Sequence, residues 1–197
     1  MCIELTTATH RPPLRRAAQG FTVIELMVTI TVLAILIAIG LPNLREFLAG
    51  NRLSSNVNGF IGLVNYARSE AIVRNQDVVI CPKDTSTNAC TSTTTWNTQD
   101  VQAFVDVNGN GAFDSGDVLL KTIAAMDPSD SQTGFTQDAA SVIVFGSAGF
   151  ARAEQMFKIY AKSDDEAYQA RMGRTVCVSR VGRVRVTAYA ATSCPDF

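Results

Sequence analysis

The chain has 197 residues, 47% of them hydrophobic, and a formal net charge of −1 at neutral pH. This length suits one domain of ordinary size plus a terminal segment. The charge is uneven: residues 21–170 hold nine Lys/Arg and 16 Asp/Glu, whereas residues 171–197 hold five Arg and one Asp. An arginine-rich tail on an acidic body indicates an anionic partner.

Catalytic side chains are scarce. The only histidine is His10, close to the N-terminus. If the first residues are removed as a leader, the remaining chain has no Ser-His or Cys-His pair and no histidine metal site. No phosphate-binding glycine loop of the P-loop type occurs. The acid cluster Asp164-Asp165-Glu166 lies in a polar stretch and predicts a solvated turn. We therefore predict that the protein is not an enzyme.

The N-terminal region contains a long apolar run with one acid. Phe21 to Leu41 spans 21 residues with a single charge, Glu25, which matches the ~20 residues that a helix needs to cross a bilayer. Arginines before the run favour a cytoplasmic leader and a periplasmic or extracellular remainder. A carboxylate within a membrane span is costly and indicates function.

Gly20-Phe21 with Glu25 four residues on resembles the class III signal of type IV pilins and pseudopilins. The resemblance implies that a prepilin peptidase cuts after Gly20, that Phe21 becomes methylated, and that Glu25 pairs with the N-terminal amine of a neighbouring pilin subunit during assembly. The alternatives are a single-pass anchor and an ordinary signal peptide, which would carry a small-residue cleavage site after its apolar core. The predicted location is the inner membrane, as a single-pass protein, and then a periplasmic or cell-surface pilus.

Helical periodicity continues beyond the apolar run to about Arg74, with one apolar stripe that should pack on a sheet. Pro42 should kink or loosen this helix, and Asn75–Asp77 predicts its exit. Beyond it, runs of β-branched or aromatic residues predict strands at Val78–Cys81, Ala103–Val107, Val118–Ile123, Val142–Phe145, Phe157–Ala161, Thr175–Ser179 and Val184–Tyr189. Polar loops are predicted at Thr85–Thr95 and Asp127–Ala140.

This pattern predicts an α+β protein with a type IV pilin-like fold, in which a long N-terminal helix packs on a C-terminal antiparallel β-sheet head. Three segments follow: a leader over residues 1–20, a helix over 21–75 whose part 21–41 is transmembrane, and a β-rich head over 76–197. Within the pilins, Tyr66–Ile72 and Ala103–Gly111 resemble the GspH/FimT branch, as do Val79-Ile80-Cys81, Trp96 and Gly116–Leu119.

Four cysteines follow the leader, and an even count in an exported domain predicts two disulfides. Three pairings are possible, and we favour the sequence-local one, Cys81–Cys90 with Cys177–Cys194. Each bond is worth roughly 3 kcal/mol in the chain-entropy model. A four-cysteine zinc site is disfavoured because the short C-x₂₋₄-C spacing is missing.

The tail predicts a strand, a turn at Arg180-Val181-Gly182 and a second strand. Alternation places Arg183 and Arg185 on one face and Val184 and Val186 toward the core. Forked guanidiniums suit phosphate oxygens without reading sequence, and Tyr189 could stack on a base.

Gly182-Arg183-Val184-Arg185 also resembles the Gly-Arg-x-Arg motif of FimT-like DNA-uptake pilins. The resemblance implies DNA binding, without sequence specificity, for natural transformation. The alternatives are a solvated strand edge or contacts with acids of a neighbouring subunit. The protein would then be a structural minor pilin or a GspH-like type II secretion pseudopilin without DNA binding.

A twelve-residue loop beginning at Asp106 matches much of the calcium-loop pattern. Its oxygen donors would be Asp106, Asn108, Asn110, Asp114 and Asp117. Two Asn-Gly pairs in the same loop favour an ordinary hairpin turn. We prefer the turn, predict no cofactor and leave calcium as the lesser alternative.

Overall fold

The structure is a computed structural model that describes residues 20–91, 96–129, 131–137 and 142–194. The chain divides into two compact units, residues 1–43 and 44–197. The first helix, α1, covers Val23–Arg74 and contributes to both units. The predicted leader lies outside the described residues except for Gly20.

In the first unit, α1 begins at Val23, two residues after the predicted start. Thr22 precedes it, and its Oγ1 accepts a hydrogen bond from the Glu25 backbone N–H at 3.3 Å. A threonine hydroxyl that satisfies an N–H of the first turn is a typical helix N-cap. Every side chain from residue 21 to residue 41 is exposed. By length and composition, α1 is the one described helix that could cross a membrane.

The second unit contains two four-stranded antiparallel sheets. The first consists of β1 (Asp77–Pro82), β2 (Val101–Asp106), β3 (Val118–Ile123) and β5 (Ile143–Phe145), in the order β3-β2-β1-β5. The second consists of β4 (Thr133–Gln137), β6 (Gln155–Ala161), β7 (Arg174–Val178) and β8 (Val184–Ala188), in the order β4-β6-β7-β8. A short helix, α2 (Glu166–Met172), connects β6 to β7.

The core of this unit forms where one face of α1 meets both sheets. Buried residues of α1 recur at three- and four-residue steps from Leu53 to Ala71, as an amphipathic helix requires. Phe60 is fully buried at the centre of an aromatic cluster, with ring centroids 5.9 Å from Trp96, 5.6 Å from Phe135 and 5.1 Å from Phe157. The predicted α+β arrangement of helix on antiparallel sheet is confirmed.

Strand β4 corrects the prediction that Asp127–Ala140 is a loop. The segment Thr133–Gln137 pairs with β6 in register from Thr133↔Ala161 to Gln137↔Phe157. It was missed because glycine and polar residues dominate it, so it carries too little alternation to indicate a strand. Its first three residues are buried, and the third of them, Phe135, stacks on Trp96.

The loop before β4 is organised by Asp127. Its carboxylate accepts hydrogen bonds from the Thr133 backbone N–H at 2.8 Å, from the Gln132 N–H and from the Ser129 hydroxyl at 2.7 Å. Burial raises the pKa of Asp127, but these hydrogen bonds outweigh it and hold the pKa at about 2. The ionised carboxylate therefore fixes the backbone that leads into the edge strand.

Helix α2 corrects the prediction of a solvated turn at the acid cluster. Asp165 is its N-cap and accepts from the Ala167 N–H at 2.9 Å. The helix has no buried residue, so it leaves no apolar periodicity in the sequence. The cap residue ahead of Glu166 was the available signal.

Two disulfides join the sequence-local cysteine pairs. Cys81–Cys90 links the end of β1 to the following loop, and Cys177–Cys194 links β7 to the C-terminal segment. The first loop is further ordered by Asp84, which accepts from Ser86 and Thr87. Those bonds lower the pKa of Asp84 to about 2.

Candidate functional site

Residues 179–183 form a tight turn between β7 and β8, here called the arginine turn. The Ser179 N–H donates to the Arg183 carbonyl and the Gly182 N–H donates to the Ser179 carbonyl, both at 2.9 Å. The Arg183 N–H also donates to the Ser179 hydroxyl at 3.1 Å. These bonds fix the backbone from which the arginine side chains project.

Gly182 is the residue that makes this turn possible. Its φ is +75°, in the left-handed region that favours glycine. It is also buried, and a Cβ at this position would lie 2.3 Å from the Gly149 carbonyl oxygen and 2.6 Å from Arg68 Nε. Both the dihedral angle and the available space therefore require glycine.

Arg68 of α1 connects the helix to the arginine turn through hydrogen bonds of its guanidinium group. Its Nε donates to the Gly149 carbonyl and its Nη2 donates to the Val181 carbonyl, each at 3.0 Å. The Ala151 N–H donates to the Arg180 carbonyl at 2.9 Å. The turn is thus bonded to α1 and to residues 149–151, so its conformation does not depend on the hairpin alone.

The side chains of Arg180, Arg183 and Arg185 are exposed around this turn. Arg185 pairs across the ladder with Cys177, which lies between the core residues Val176 and Val178. Paired residues share a face, so Arg185 projects from the face of the sheet opposite the core. Within the described part of the chain, no acidic side chain forms a salt bridge with Arg180 or Arg183.

The structure places Val184 and Val186 on the core side of the sheet, as predicted, but it does not cover Val186. Val184 is half-buried and packs against the core, but Val186 is 41% exposed. Val186 pairs with the buried Val176, so it is on the core side of the sheet. It remains exposed because β8 is the edge strand and has a neighbouring strand on one side only.

Two further arginines of the tail, Arg171 and Arg174, contact other parts of the chain. Arg171 forms a salt bridge with Glu46 of α1. Arg174 donates to the carbonyl oxygens of Arg171, Met172 and Gly173, at 2.7 Å in the shortest case. Arg180, Arg183 and Arg185 are the arginines of the tail that lie at the arginine turn and on β8, and the side chains of all three are exposed.

The aromatic residue predicted to stack on a base is packed within the protein. The Tyr189 ring lies 5.3 Å from the Tyr160 ring, and Lys158 Nζ sits 5.7 Å from its centroid. Burial, together with Tyr160 and Glu166, raises the pKa of Tyr189. The exposed aromatic beside the arginine turn is instead Phe150, at 57% exposure.

Sequence reasoning missed the contacts that Arg68 makes with the arginine turn and with residue 149. Arg68 lies within a helix motif, and the carbonyl of Val181 that it binds is 113 residues away. No local pattern encodes a contact at that separation. For Phe150, the signal available in the sequence was an aromatic residue directly after Gly149 in a turn region.

The possible calcium loop is held by its own hydrogen bonds. Asp106 is buried, and its two oxygens accept from the backbone N–H groups of Gly109 at 2.8 Å and Gly111 at 2.7 Å. Both glycines have φ of +74°, as expected for Asn-Gly turns. The first predicted ligand is therefore already satisfied by the turn.

The remaining donors also face one another. Asn108 and Asn110 each donate a side-chain N–H to Asp114 at 2.8 Å. Asp117 accepts from the backbone N–H groups of Val107 and Asp114. Among the described residues, no group of three or more His, Cys, Asp or Glu side chains is placed to hold a metal ion. We therefore propose no calcium site here.

The long N-terminal helix and the two antiparallel sheets define a subunit of the type IV pilin kind. Residues 15–41 match the prokaryotic N-terminal methylation motif, and residues 56–182 match the type II transport protein GspH. The chain belongs to the GspH family and is a minor type IV pilin or pseudopilin, as the sequence predicted. No curated protein sequence matches it.

The fold is similar to the crystal structure of the type IV minor pilin FimU of Pseudomonas aeruginosa. That match has a TM-score of 0.52 and 17% identity and covers 72% of this chain and 92% of FimU. The minor pseudopilin EpsH of the Vibrio cholerae Type 2 Secretion System matches with a TM-score of 0.47 and 13% identity, over 71% of this chain and 99% of EpsH. At these identities the likeness to FimU bears on the fold alone.

Proposed function

We propose that this chain is a minor subunit of a type IV pilus and that its arginine turn binds DNA for uptake in natural transformation. The observation that supports this role is a backbone-locked turn that presents Arg180, Arg183 and Arg185 to solvent. Guanidinium groups bind phosphate oxygens through two parallel hydrogen bonds. A fixed array loses little ordering entropy when it binds a phosphate chain.

Such a site would bind without sequence specificity, because phosphate contacts position a protein on DNA but do not read bases. The Cys177–Cys194 bond ties the partner strand of β8 to the chain that follows it, which adds to the rigidity of the array. One subunit neutralises few phosphates, so its affinity should be modest and strongly dependent on salt.

We further propose the processing and anchoring steps that the methylation motif implies. A prepilin peptidase would remove residues 1–20 by cutting after Gly20, and Phe21 would become the methylated N-terminus. Residues 21–41 would then anchor the subunit as a single span in the inner membrane before it enters the filament. Residues 76–197 would form the head.

Replacing Glu25 with alanine should abolish incorporation into filaments while leaving processing intact. Pairing of the Glu25 carboxylate with the N-terminal amine of the adjacent subunit would offset the cost of placing both charges within the bilayer, and alanine would leave that amine unpaired. Immunoblots of sheared pili and of membranes would measure both. Thr29→Ala, which changes another polar residue of the same apolar segment, is the control. Normal incorporation of Glu25→Ala would contradict the proposed role.

Replacing Arg183 and Arg185 together with alanine should weaken DNA binding at least about tenfold at low salt. It should also lower the slope of log affinity against log salt by about two, since two phosphate contacts are lost. Fluorescence anisotropy of the detergent-solubilised protein with labelled DNA would measure both quantities. The matched control is Arg171→Ala/Arg174→Ala, which removes the same charge from the same tail. Equal affinities of the wild type and both double variants would exclude the arginine turn as the DNA-binding site.

The alternative is a structural minor pilin or a type II secretion pseudopilin whose tail contacts another subunit. The acidic body of the chain, with 16 Asp/Glu over residues 21–170, supports it because a neighbouring copy would offer partners for the arginines. If the double arginine variant loses transformation but keeps its pili, DNA binding is favoured. If it loses piliation or secretion, the alternative is favoured.

The family consists of structural proteins, and we propose no catalysis.

A further inference from the structure

Phe150 is an exposed aromatic residue held beside the arginine turn. Its side chain is 57% exposed. Its two chain neighbours both contact the turn region: the Gly149 carbonyl accepts from Arg68, and the Ala151 N–H donates to the Arg180 carbonyl at 2.9 Å. The Phe150 carbonyl itself accepts from the Gly146 N–H at 2.9 Å. The backbone that carries the ring is therefore fixed relative to the arginines.

The surface around Phe150 combines apolar area with positive charge. Val181 at the tip of the arginine turn is 45% exposed, and Ile72 of α1, which lies against Gly149, is 51% exposed. Arg180 and Arg183 flank Val181 in the chain. Single exposed apolar residues need no explanation, but three of them on segments that form the arginine turn or are held against it suit a ligand with both anionic and flat apolar parts.

A nucleotide with an accessible base has that combination of phosphate and aromatic face. We infer that Phe150 stacks on an unpaired nucleobase while the arginine turn holds the adjoining phosphates, so that the site prefers single-stranded DNA to duplex. This inference rests on the proposed DNA-binding function and specifies the form of DNA that it takes.

The preference for a single strand follows from base geometry. In a duplex each base face is covered by its neighbours, so an aromatic side chain reaches it only by unstacking the helix at a cost of a few kcal/mol. In a single strand the faces are accessible, and stacking on an aromatic residue tolerates any sequence. The arginines alone would bind both forms, so Phe150 is the feature that discriminates between them.

The inference is tested with three DNA probes and the full chain in detergent micelles. The probes are oligothymidylate, an abasic oligomer with the same number of phosphates, and a blunt duplex. Anisotropy titrations compare wild type with Phe150→Ala, Phe150→Leu and the Arg183→Ala/Arg185→Ala variant. Leu119→Ala, a 47% exposed apolar residue on the edge strand of the other sheet, is the control for loss of exposed apolar surface.

Phe150→Ala and Phe150→Leu should each bind oligothymidylate about tenfold more weakly, because one stacking contact is lost. Their affinities for the abasic oligomer and the duplex should stay within about twofold of wild type. Leu119→Ala should match wild type on every probe. Retained binding of the abasic oligomer would also show that the Phe150 variants are folded.

Any other pattern of affinities contradicts the inference, and the pattern shows which assumption has failed. If the Phe150 variants match wild type on all probes while the arginine variant is weak on all of them, stacking is wrong and DNA binding stands. If the arginine variant also matches wild type, the proposed function itself fails. A uniform loss on every probe would mean that Phe150 is structural. Unchanged DNA affinities with reduced incorporation into pili would assign Phe150 to a subunit contact.

Discussion

Replacing Phe60 with alanine should lower the free energy of unfolding by about 3–5 kcal/mol, the usual cost of truncating a buried phenylalanine. Phe60 is fully buried where α1 meets both sheets, and its ring contacts those of Trp96, Phe135 and Phe157. The surrounding side chains belong to three different segments of the chain, so they cannot all move to fill the space. Because domains are stable by only about 5–15 kcal/mol, the loss would be severe.

Urea denaturation under oxidising conditions, followed by tryptophan fluorescence, would measure this change, since Trp96 is the chain's only tryptophan. Phe150→Ala is the matched control: it removes the same ring from a 57% exposed position and should change stability by less than about 0.5 kcal/mol. Equal stability of the two variants would contradict the assigned core.

Replacing Gly182 with alanine should lower the free energy of unfolding by about 3 kcal/mol and displace the arginine turn. Part of this is the cost of placing a side chain in the left-handed region, roughly 1–2 kcal/mol. The rest is overpacking, which typically costs about 1–3 kcal/mol. The new Cβ would lie 2.3 Å from the Gly149 carbonyl oxygen, and backbone cannot yield as a flexible side chain does.

Gly109→Ala separates these two contributions. Gly109 has φ of +74°, against +75° for Gly182, but no atom outside its chain neighbours lies within 4 Å of the position that a Cβ would occupy. It should therefore show only the conformational cost of about 1–2 kcal/mol. Denaturation of both variants, together with DNA titrations, would measure the difference. If Gly182→Ala is no less stable than Gly109→Ala, the close packing of the turn against residue 149 is wrong.

The two variants also connect stability to function. If the arginine turn acts as a rigid array, Gly182→Ala should weaken DNA binding although it removes no charge. Gly109→Ala, in a loop of the other sheet, should leave binding unchanged. A change in affinity without a change in charge would indicate that the geometry of the guanidiniums matters as well as their number.

Local chemistry allowed several elements to be predicted. The apolar stripe of α1 and the runs of β-branched or aromatic residues in β6 to β8 are signals that a short window of sequence contains. The exit of α1 follows from Asn75, which adopts φ of 53°, a conformation that asparagine tolerates better than most residues. The sequence-local disulfides could also be predicted from nearby residues, because each closes a short loop.

The elements that were missed lack such local signals. Strand β4 becomes a strand through its ladder with β6 and through the stacking of Phe135 on Trp96. Helix α2 has no fully buried residue and only Met172 at its end packs against the core, so no apolar stripe marks it. The exposure of Val186 depends on β8 being an edge strand, which is a property of the sheet order and not of the residue.

The sequence by itself determined the class of protein, because the glycine, phenylalanine and acid of the N-terminal motif and the apolar run after them lie within one continuous segment. It also determined that arginines are clustered in residues 171–185. Only the tertiary structure decided how those arginines are held, since Arg68, Gly149 and Gly182 meet from distant parts of the chain. Contacts at that separation depend on the packing of α1 against both sheets, and no short-range pattern specifies that packing.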